Sequence, residues 1–430
     1  MQSHSHSHSP KAEEIVSAHL PDLHPFEAQY KDFHAHPELS TQESRTAAIA
    51  AKHLEELGFT VHRGIGGTGA VGVLENGQGH IVLLRADMDG LPILEESGVD
   101  YASTFRMRDA DGVEKPTMHA CGHDFHVSSL MAVASLLVSA KGEWSGTLIC
   151  LFQPNEERGG GAQAMVSSGL YDIIPVPDII LGQHVNDQRT GTVLSRSGVS
   201  LSAADSFEVT IHGRGGHGSQ PQHCIDPIVI ASFIIIRIQT IVSRMIAPSA
   251  AAVVTCGSIH GGDAENIIPD KVIFKLNVRS YNPQVRERII KALHQIIESE
   301  CESAGTLQKP TIKQITQFPL TVSDPDISST LASAFKSFFG DNYTEMDVPM
   351  DASEDFSNLA RPPHDTPHEV PYAFWFFGGT DAGEWDEAER KGDFSSIPKN
   401  HMSKYAPVVQ PTLRTGIQAF ALAALNFLIS

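Results

Sequence analysis

Apolar residues recur along this chain with a helical period in some stretches, with a two-residue period in others, and as unbroken runs in a third set. From Lys11 to Tyr30 apolar positions fall at helical spacing among charges, which predicts a helix that His34-Ala35-His36-Pro37-Glu38-Leu39-Ser40 breaks. Ser40 and Glu43 then have the spacing of a capping box, opening an Ala-rich helix that Gly58 stops after Leu57. Phe59 to Arg63 and Ala70 to Leu74 read as short strands. Gly64 to Gly69 between them have the GxGxxG spacing, but a dinucleotide fingerprint needs a helix straight after the glycines. A strand pattern follows instead, so a hairpin is expected.

Three nearly continuous apolar runs, His80 to Arg85, Thr147 to Phe152 and Asp178 to Gly182, have the pattern of strands buried on both faces. Each is followed by acidic or imidazole side chains: Asp87 and Asp89, Glu156 and Glu157, and His184. Open α/β sheets place their sites at such strand ends. Val127 to Ala140 is helical in pattern, and Pro411 to Leu428 reads as an apolar helix packed on the main sheet.

Near Ser200 the pattern changes. Phe207 to His212 alternates like a half-exposed strand, and Asp226 to Met245 is long enough to read as a helix despite its β-branched residues. Ala251 to Cys256 and Lys271 to Arg279 read as strands, Gln284 to Glu298 as a helix and Thr311 to Ile315 as a strand. That order predicts a ferredoxin-like split βαβ sandwich. The expected architecture is therefore an α/β catalytic domain in two parts, 1–199 and 317–430, with a mostly parallel mixed sheet and flanking helices. An α+β domain is inserted at 200–316. Arg361 to Pro371 reads as a surface loop.

Composition narrows the function classes. The net charge of -20 opposes binding to nucleic acid or anionic lipid. Five scattered cysteines without a CxxC pair argue against a disulfide framework and a zinc ribbon, and for a reducing compartment. The opening MQSHSHSHSP has no apolar signal region; its His-Ser run reads as a disordered tail able to bind metal weakly. The most apolar stretch, Ile228 to Ile238, is interrupted by Arg237 and is too short to span a bilayer. A cytoplasmic protein without nucleic-acid or membrane partners is expected.

The chemistry concentrates in Met118-His119-Ala120-Cys121-Gly122-His123-Asp124-Phe125-His126. Imidazole and thiolate are the usual ligands of a borderline-soft divalent ion. Cys121 and His123 would not share a face of a regular helix, but Gly122 permits an irregular turn on which both converge. Taken alone, a His-rich surface loop fits equally well. In Glu156-Glu157 one carboxylate can ligate a metal while its neighbour takes a proton from water; a solvated acidic turn is the plainer alternative. Gly213 to Pro221 is Gly-rich, carries His217 and lacks the GK[ST] of a phosphate loop. Its glycines let backbone approach a ligand while His217 donates to an oxyanion, although a flexible hairpin with an exposed His looks the same.

RADMDGLP, MHACGHDFH, FQPNEE, GQHV, GRGGHGSQP, ENIIPD and ASEDFS occur in this order. As a set they resemble the aminoacylase and carboxypeptidase-G type of metallopeptidase, in the amidohydrolase branch with hippurate hydrolases and plant auxin-conjugate hydrolases. The resemblance runs from about residue 31 to the C-terminus. It implies a hydrolase with two divalent ions, Mn²⁺ or Zn²⁺, and an inserted lid domain. It implies Cys121, His123, Glu157, His184 and His401 as metal ligands, Glu156 as general base and acid, and His217 and Asn266 as substrate-binding residues. Asp87 stands where other branches use a ligand His; with Asp89 it either ligates or orients the ligands. Through the lid it also suggests a homodimer. The expected substrates are N-acyl or N-aroyl amino acids, with Arg279 as the candidate for their carboxylate. A dipeptidase or carboxypeptidase on the same scaffold, or a non-catalytic metal-binding homologue, are the alternatives. The link from Phe105 to Thr117, before MHACGHDFH, is longer than the family pattern.

Overall fold

The computed structural model describes residues 9–362 and 369–429. The His-Ser run and most of the expected Arg361–Pro371 loop lie outside the described residues. Contacts divide the chain into two compact units. The first comprises Met1–Ser200, Val322–Pro349 and Asp355–Ser430; the second comprises Leu201–Thr321 and Met350–Glu354.

In chain order the first unit contributes strands β1 (Thr60–Ile65), β2 (Gly69–Asn76), β3 (Ile81–Asp87), β4 (Gly146–Gln153), β5 (Ile179–Arg189) and β6 (Val193–Ser195). The second unit follows with β7 (Ala203–His212), β8 (Ala252–His260), β9 (Lys271–Ser280) and β10 (Thr311–Phe318). The chain then returns to the first unit with β11 (Tyr343–Glu345) and β12 (Tyr372–Thr380).

The first unit holds an eight-stranded sheet in the order β1-β2-β4-β3-β5-β12-β6-β11. Its centre, β4-β3-β5-β12, is parallel, and its margins include antiparallel pairs. The glycines after β1 form the expected hairpin, with β1 and β2 antiparallel. Helix His123–Ser139 is buried nearly all round, and helix Val409–Leu428 packs in the same core through Leu413, Ile417, Phe420 and Leu425. A buried side chain of this size contributes roughly 1.5–3 kcal/mol relative to exposure.

Several expected elements change. The first helix is two, Pro10–Ala18 and His24–Ala35, and the second runs through His34 instead of stopping there. The capping box at Ser40 and Glu43 does not form: the helix starts at Ser44, and both side chains bond elsewhere. β5 extends to Arg189 because β12 pairs alongside it, so His184 sits within the strand rather than beyond its end. β12 itself, buried at all nine positions, was not expected from the pattern.

The second unit has the antiparallel order β8-β9-β7-β10, with helices Pro227–Thr240 and Pro283–Ser303 sharing its core. This is the ferredoxin-like order expected for Phe207 to Ile315. Asp226 caps the first helix with two hydrogen bonds, and Pro227 suits its first turn. The helix continues as a π turn, Ile241–Met245, so the expectation that this stretch is too short for a bilayer does not hold on length. Ile230, Ala231, Ile234 and Ile238 pack inward, while Val229, Phe233 and Ile236 stay exposed.

Candidate metal centre

The centre lies in the first unit, where β3 and β4 end and β5 passes beside them. Gly122, at φ 82°, turns the chain between Cys121 and the helix that begins at His123. A Cβ at Gly122 would meet Val185 Cγ1 at 2.3 Å, so only glycine fits. β3 delivers Asp87 and then Asp89, the turn after β4 delivers Glu156 and Glu157, and β5 delivers His184. His401 arrives from the loop before the last helix. Its N–H bonds to Ala120 O at 2.7 Å, and Asn400 Nδ2 donates to Cys121 O and Val185 O, each at 3.2 Å.

The five side chains named as ligands from the sequence converge. Cys121 Sγ lies 3.4 Å from His184 Nε2 and 3.3 Å from His401 Nε2. Glu157 Oε2 is 3.4 Å from His401 Nε2, and Glu157 Oε1 is 3.8 Å from His123 Nε2. Glu156 Oε2 is 3.9 Å from His123 Nε2. Donor atoms of Cys121, His123 and Glu157 lie within 4.8 Å of one another, as do those of Asp87, His123, His126 and His184.

Hydrogen bonds decide which ring nitrogens remain open. His184 Nδ1 donates to Val185 O at 2.6 Å, leaving the Nε2 lone pair toward Cys121. Burial first, then His126 and His123, depresses the His184 pKa well below normal, so the ring is neutral and able to ligate. His126 has no open nitrogen. Its Nε2 accepts the Val185 N–H at 2.9 Å, so its Nδ1–H faces Asp87 Oδ1 at 2.5 Å. His126 is thus a brace for Asp87 and β5. The i, i+3 spacing of His123 and His126 on one helix face was the sequence signal for their proximity.

Asp87 is buried but charged. Burial opposes ionisation, and the charges of Arg85 and His123, with the hydrogen bond from His126, outweigh it and hold the carboxyl well below its usual range. Arg85 is itself buried. It donates to Asp87 Oδ2 at 2.7 Å and to Gln153 Oε1 at 2.8 Å, and the Gln153 amide reaches Asp355 Oδ1 at 2.6 Å. Behind the helix start, His34 bridges two buried carboxylates, Asp124 at 2.7 Å and Glu95 at 2.9 Å. Arg85, Gln153, His34 and Glu95 were not assigned from the sequence, because their partners are distant or lie across strands.

The donor set fits a divalent cation. His123 Nε2 and Glu157 Oε1 are buried without a hydrogen-bond partner among the described residues. Burial alone would lower the His123 pKa, yet Asp87, Asp89 and Cys121 raise it well above normal. Cys121 foremost raises His401 to about 11. The cage draws positive charge inward, and thiolate, imidazole and carboxylate donors at this spacing suit a divalent metal ion.

Three other residues named from the sequence belong to the second unit. His217 is exposed and pairs with Ile267 in a short antiparallel ladder between Gly216–His217 and Ile267–Ile268, beside which Gly218 N–H bonds Asn266 O at 2.8 Å. Ser219 N–H and its hydroxyl meet His217 Nδ1 at 3.1 and 2.8 Å. Arg279 on β9 uses one nitrogen on Asp351 O and Ser353 Oγ.

Parallel strands that bring a buried cluster of His, Cys and carboxylate donors together with the adjacent acid pair Glu156-Glu157 define a metal-dependent hydrolase of the α/β type. Residues 83–396 match the model of peptidase family M20/M25/M40, and the chain belongs to that family. Among its relatives is thermostable carboxypeptidase 2 of Saccharolobus solfataricus, 34% identical over 92% of this chain and 94% of that one. Hippurate hydrolase of Campylobacter jejuni is 35% identical over 77% of this chain and 84% of its own length. The solved structure of Bacillus subtilis YXEP protein, a dinuclear metal binding peptidase from the M20 family, superposes with a TM-score of 0.71 at 25% identity. That match covers 94% of this chain and 99% of YXEP.

Proposed function

We propose that this chain hydrolyses the amide bond of small N-acyl or N-aroyl amino acids with two divalent ions, Mn²⁺ or Zn²⁺. Cys121, His123, Glu157, His184 and His401 hold the ions, and Asp87 and Asp89 orient the ligands. The observation that carries this reading is the convergence of Cys121, His184 and His401 with His123 and Glu157, whose Nε2 and Oε1 are buried without a hydrogen-bond partner among the described residues. When bound, the ions acidify a water and polarise the substrate carbonyl. Glu156, buried beside His123, takes the water's proton and passes it to the leaving nitrogen.

The second unit acts in this proposal as the lid. Because Ser219 N–H donates to His217 Nδ1, the neutral ring carries its proton on Nε2. His217 therefore offers a donor to the carbonyl oxygen as negative charge develops there. Asn266 binds beside it, and the remaining nitrogens of Arg279 take the substrate carboxylate. A homodimer through this unit is part of the same reading: Phe233 and Ile236 are 60% and 68% exposed on one helix. The five free cysteines fit a reducing cytoplasm.

A carboxypeptidase reading is favoured by one observation, the likeness to thermostable carboxypeptidase 2 over nearly the whole chain. Metal-reconstituted protein offered a panel of N-acyl amino acids and dipeptides, with products read by mass, separates the two. Release of free acid from N-acyl amino acids is expected. Turnover of dipeptides alone replaces the first reading by the second. No turnover, with no tight Mn²⁺ or Zn²⁺ binding in dialysis, leaves a non-catalytic homologue.

A further inference from the structure

Three successive backbone N–H groups, those of Asn155, Glu156 and Glu157, point at two buried carboxylates. Asn155 N–H donates to Glu43 Oε1 at 2.8 Å, and those of Glu156 and Glu157 donate to Asp89 Oδ1 and Oδ2, each at 3.1 Å. Glu43 Oε1 also accepts the Thr41 N–H at 2.8 Å, and its Oε2 accepts the Thr68 hydroxyl at 2.5 Å. The Ser40 hydroxyl donates to Asp89 Oδ2 at 2.7 Å. Thr41 and Asn155 both have left-handed backbone, φ 72° and 55°. One oxygen of Glu43 thus ties together two residues held in a conformation that non-glycine residues disfavour.

We propose that Glu43 is a positioning residue for the reaction: with Asp89 it clamps the 155–157 backbone, and so sets where the Glu156 and Glu157 carboxylates point. This rests on the amidohydrolase reading above. A plain helix-capping role does not account for the contacts. Glu43 is the N-cap of helix Ser44–Glu56 but makes no side-chain cap bond, and its oxygen is used on a residue 112 positions away. Burial and the nearby Asp89 charge raise Glu43 to about 7, a cost that capping an exposed helix end does not require. Three donors converging on one side chain call for an acceptor at both of its ends, which a carboxylate supplies.

Hydrogen exchange of the metal-free protein, with steady-state kinetics of the metal-loaded one, tests the clamp. In Glu43→Ala the amides of 155–157 should exchange about 10-fold faster or more, while β4 stays within about 2-fold of the parent. Its kcat should fall about 10- to 100-fold with KM within about 3-fold, as expected for misplaced rather than missing groups. Glu43→Gln keeps Oε1 for both N–H groups and turns its amide to the Thr68 oxygen, so it should recover both readouts to within about 5-fold. Unchanged exchange at 155–157 in Glu43→Ala overturns the proposal. So does equal acceleration across β4 and helix Ser44–Glu56, or a Gln variant no better than Ala. If Glu43→Ala does not fold, Thr68→Val removes only the Oε2 partner; about 3-fold faster loop exchange is expected and none overturns the clamp. A parent protein inactive on every N-acyl amino acid sinks the functional reading instead, and the exchange pattern alone then decides the clamp.

Discussion

The buried centre of the first unit and the Gly-rich loop of the second use the same kinds of side chain under opposite constraints. In the first unit three imidazoles at or behind the centre are fixed by specific partners: His184 by Val185 O, His126 by Asp87 and Val185 N–H, His34 by Asp124 and Glu95. In the second unit His217 is exposed and only its Nδ1 is fixed, by Ser219. Groups that share cations must be placed before anything binds, because ligand geometry tolerates little error. A group that meets a variable substrate needs its proton on the correct nitrogen and otherwise freedom to move. The first region spends buried charge on order, and the second does without it.

The comparison breaks most sharply at Glu156. Glu156→Gln should lower kcat by about 10³- to 10⁴-fold while Mn²⁺ and Zn²⁺ binding persists, since only the proton carrier is lost. Calorimetric metal titration beside a kinetic assay checks it, and a variant with near-parental kcat ends the assignment. His217→Ala should cost about 10²- to 10³-fold in kcat, with metal affinity unaltered, because one oxyanion donor is removed from the second unit alone. Weakened metal binding in that variant would erase the division between the regions. Asp87→Asn should weaken metal affinity by about 10- to 100-fold, read by competition with a chelating dye, because it removes the charge that His126 and Arg85 hold in place.

The smallest expected effect is on stability. Burial would lower the His34 pKa, but Asp124 and Glu95 raise it from 6.5 to about 9. A group whose folded pKa is raised contributes fully below its unfolded value and less as pH climbs toward the folded one. The urea midpoint of the metal-free protein should therefore fall between pH 6.5 and 9. His34→Gln should flatten that slope, and an equal slope in both proteins would show that His34 is not the group titrating.

Much of this was legible before any coordinates. β3 and β4 follow the expected apolar runs and continue beyond Arg85 and Phe152 to Asp87 and Gln153, and Gly122 makes the irregular turn on which the Cys121 and His123 donors converge. Strand, helix, two strands, helix, strand was readable from periodicity because both helices and the strands β7 and β9 each carry a buried face. Other readings failed where a local rule met a distant partner. Ser40 and Glu43 have the spacing of a capping box, yet their side chains go to Asp89 and Asn155. β5 was cut short because the polar residues Gln183, His184 and Asn186 hide a strand that continues by pairing with β12. The aromatic run that makes β12 follows the Pro-rich stretch Arg361 to Pro371, which drew attention to the loop rather than to the strand.

The sequence by itself determined the donor types, the acid pair and the family pattern, because these depend on which residues are present and in what order. Only the tertiary structure decided which nitrogen of each histidine is open, that His126 braces rather than ligates, and that Glu43 serves the loop after β4. For His126 and Glu43 those outcomes depend on single hydrogen bonds to residues 59 and 112 positions away. No local period encodes them, since the free energy that selects them exists only once the sheet has brought the partners within about 3 Å.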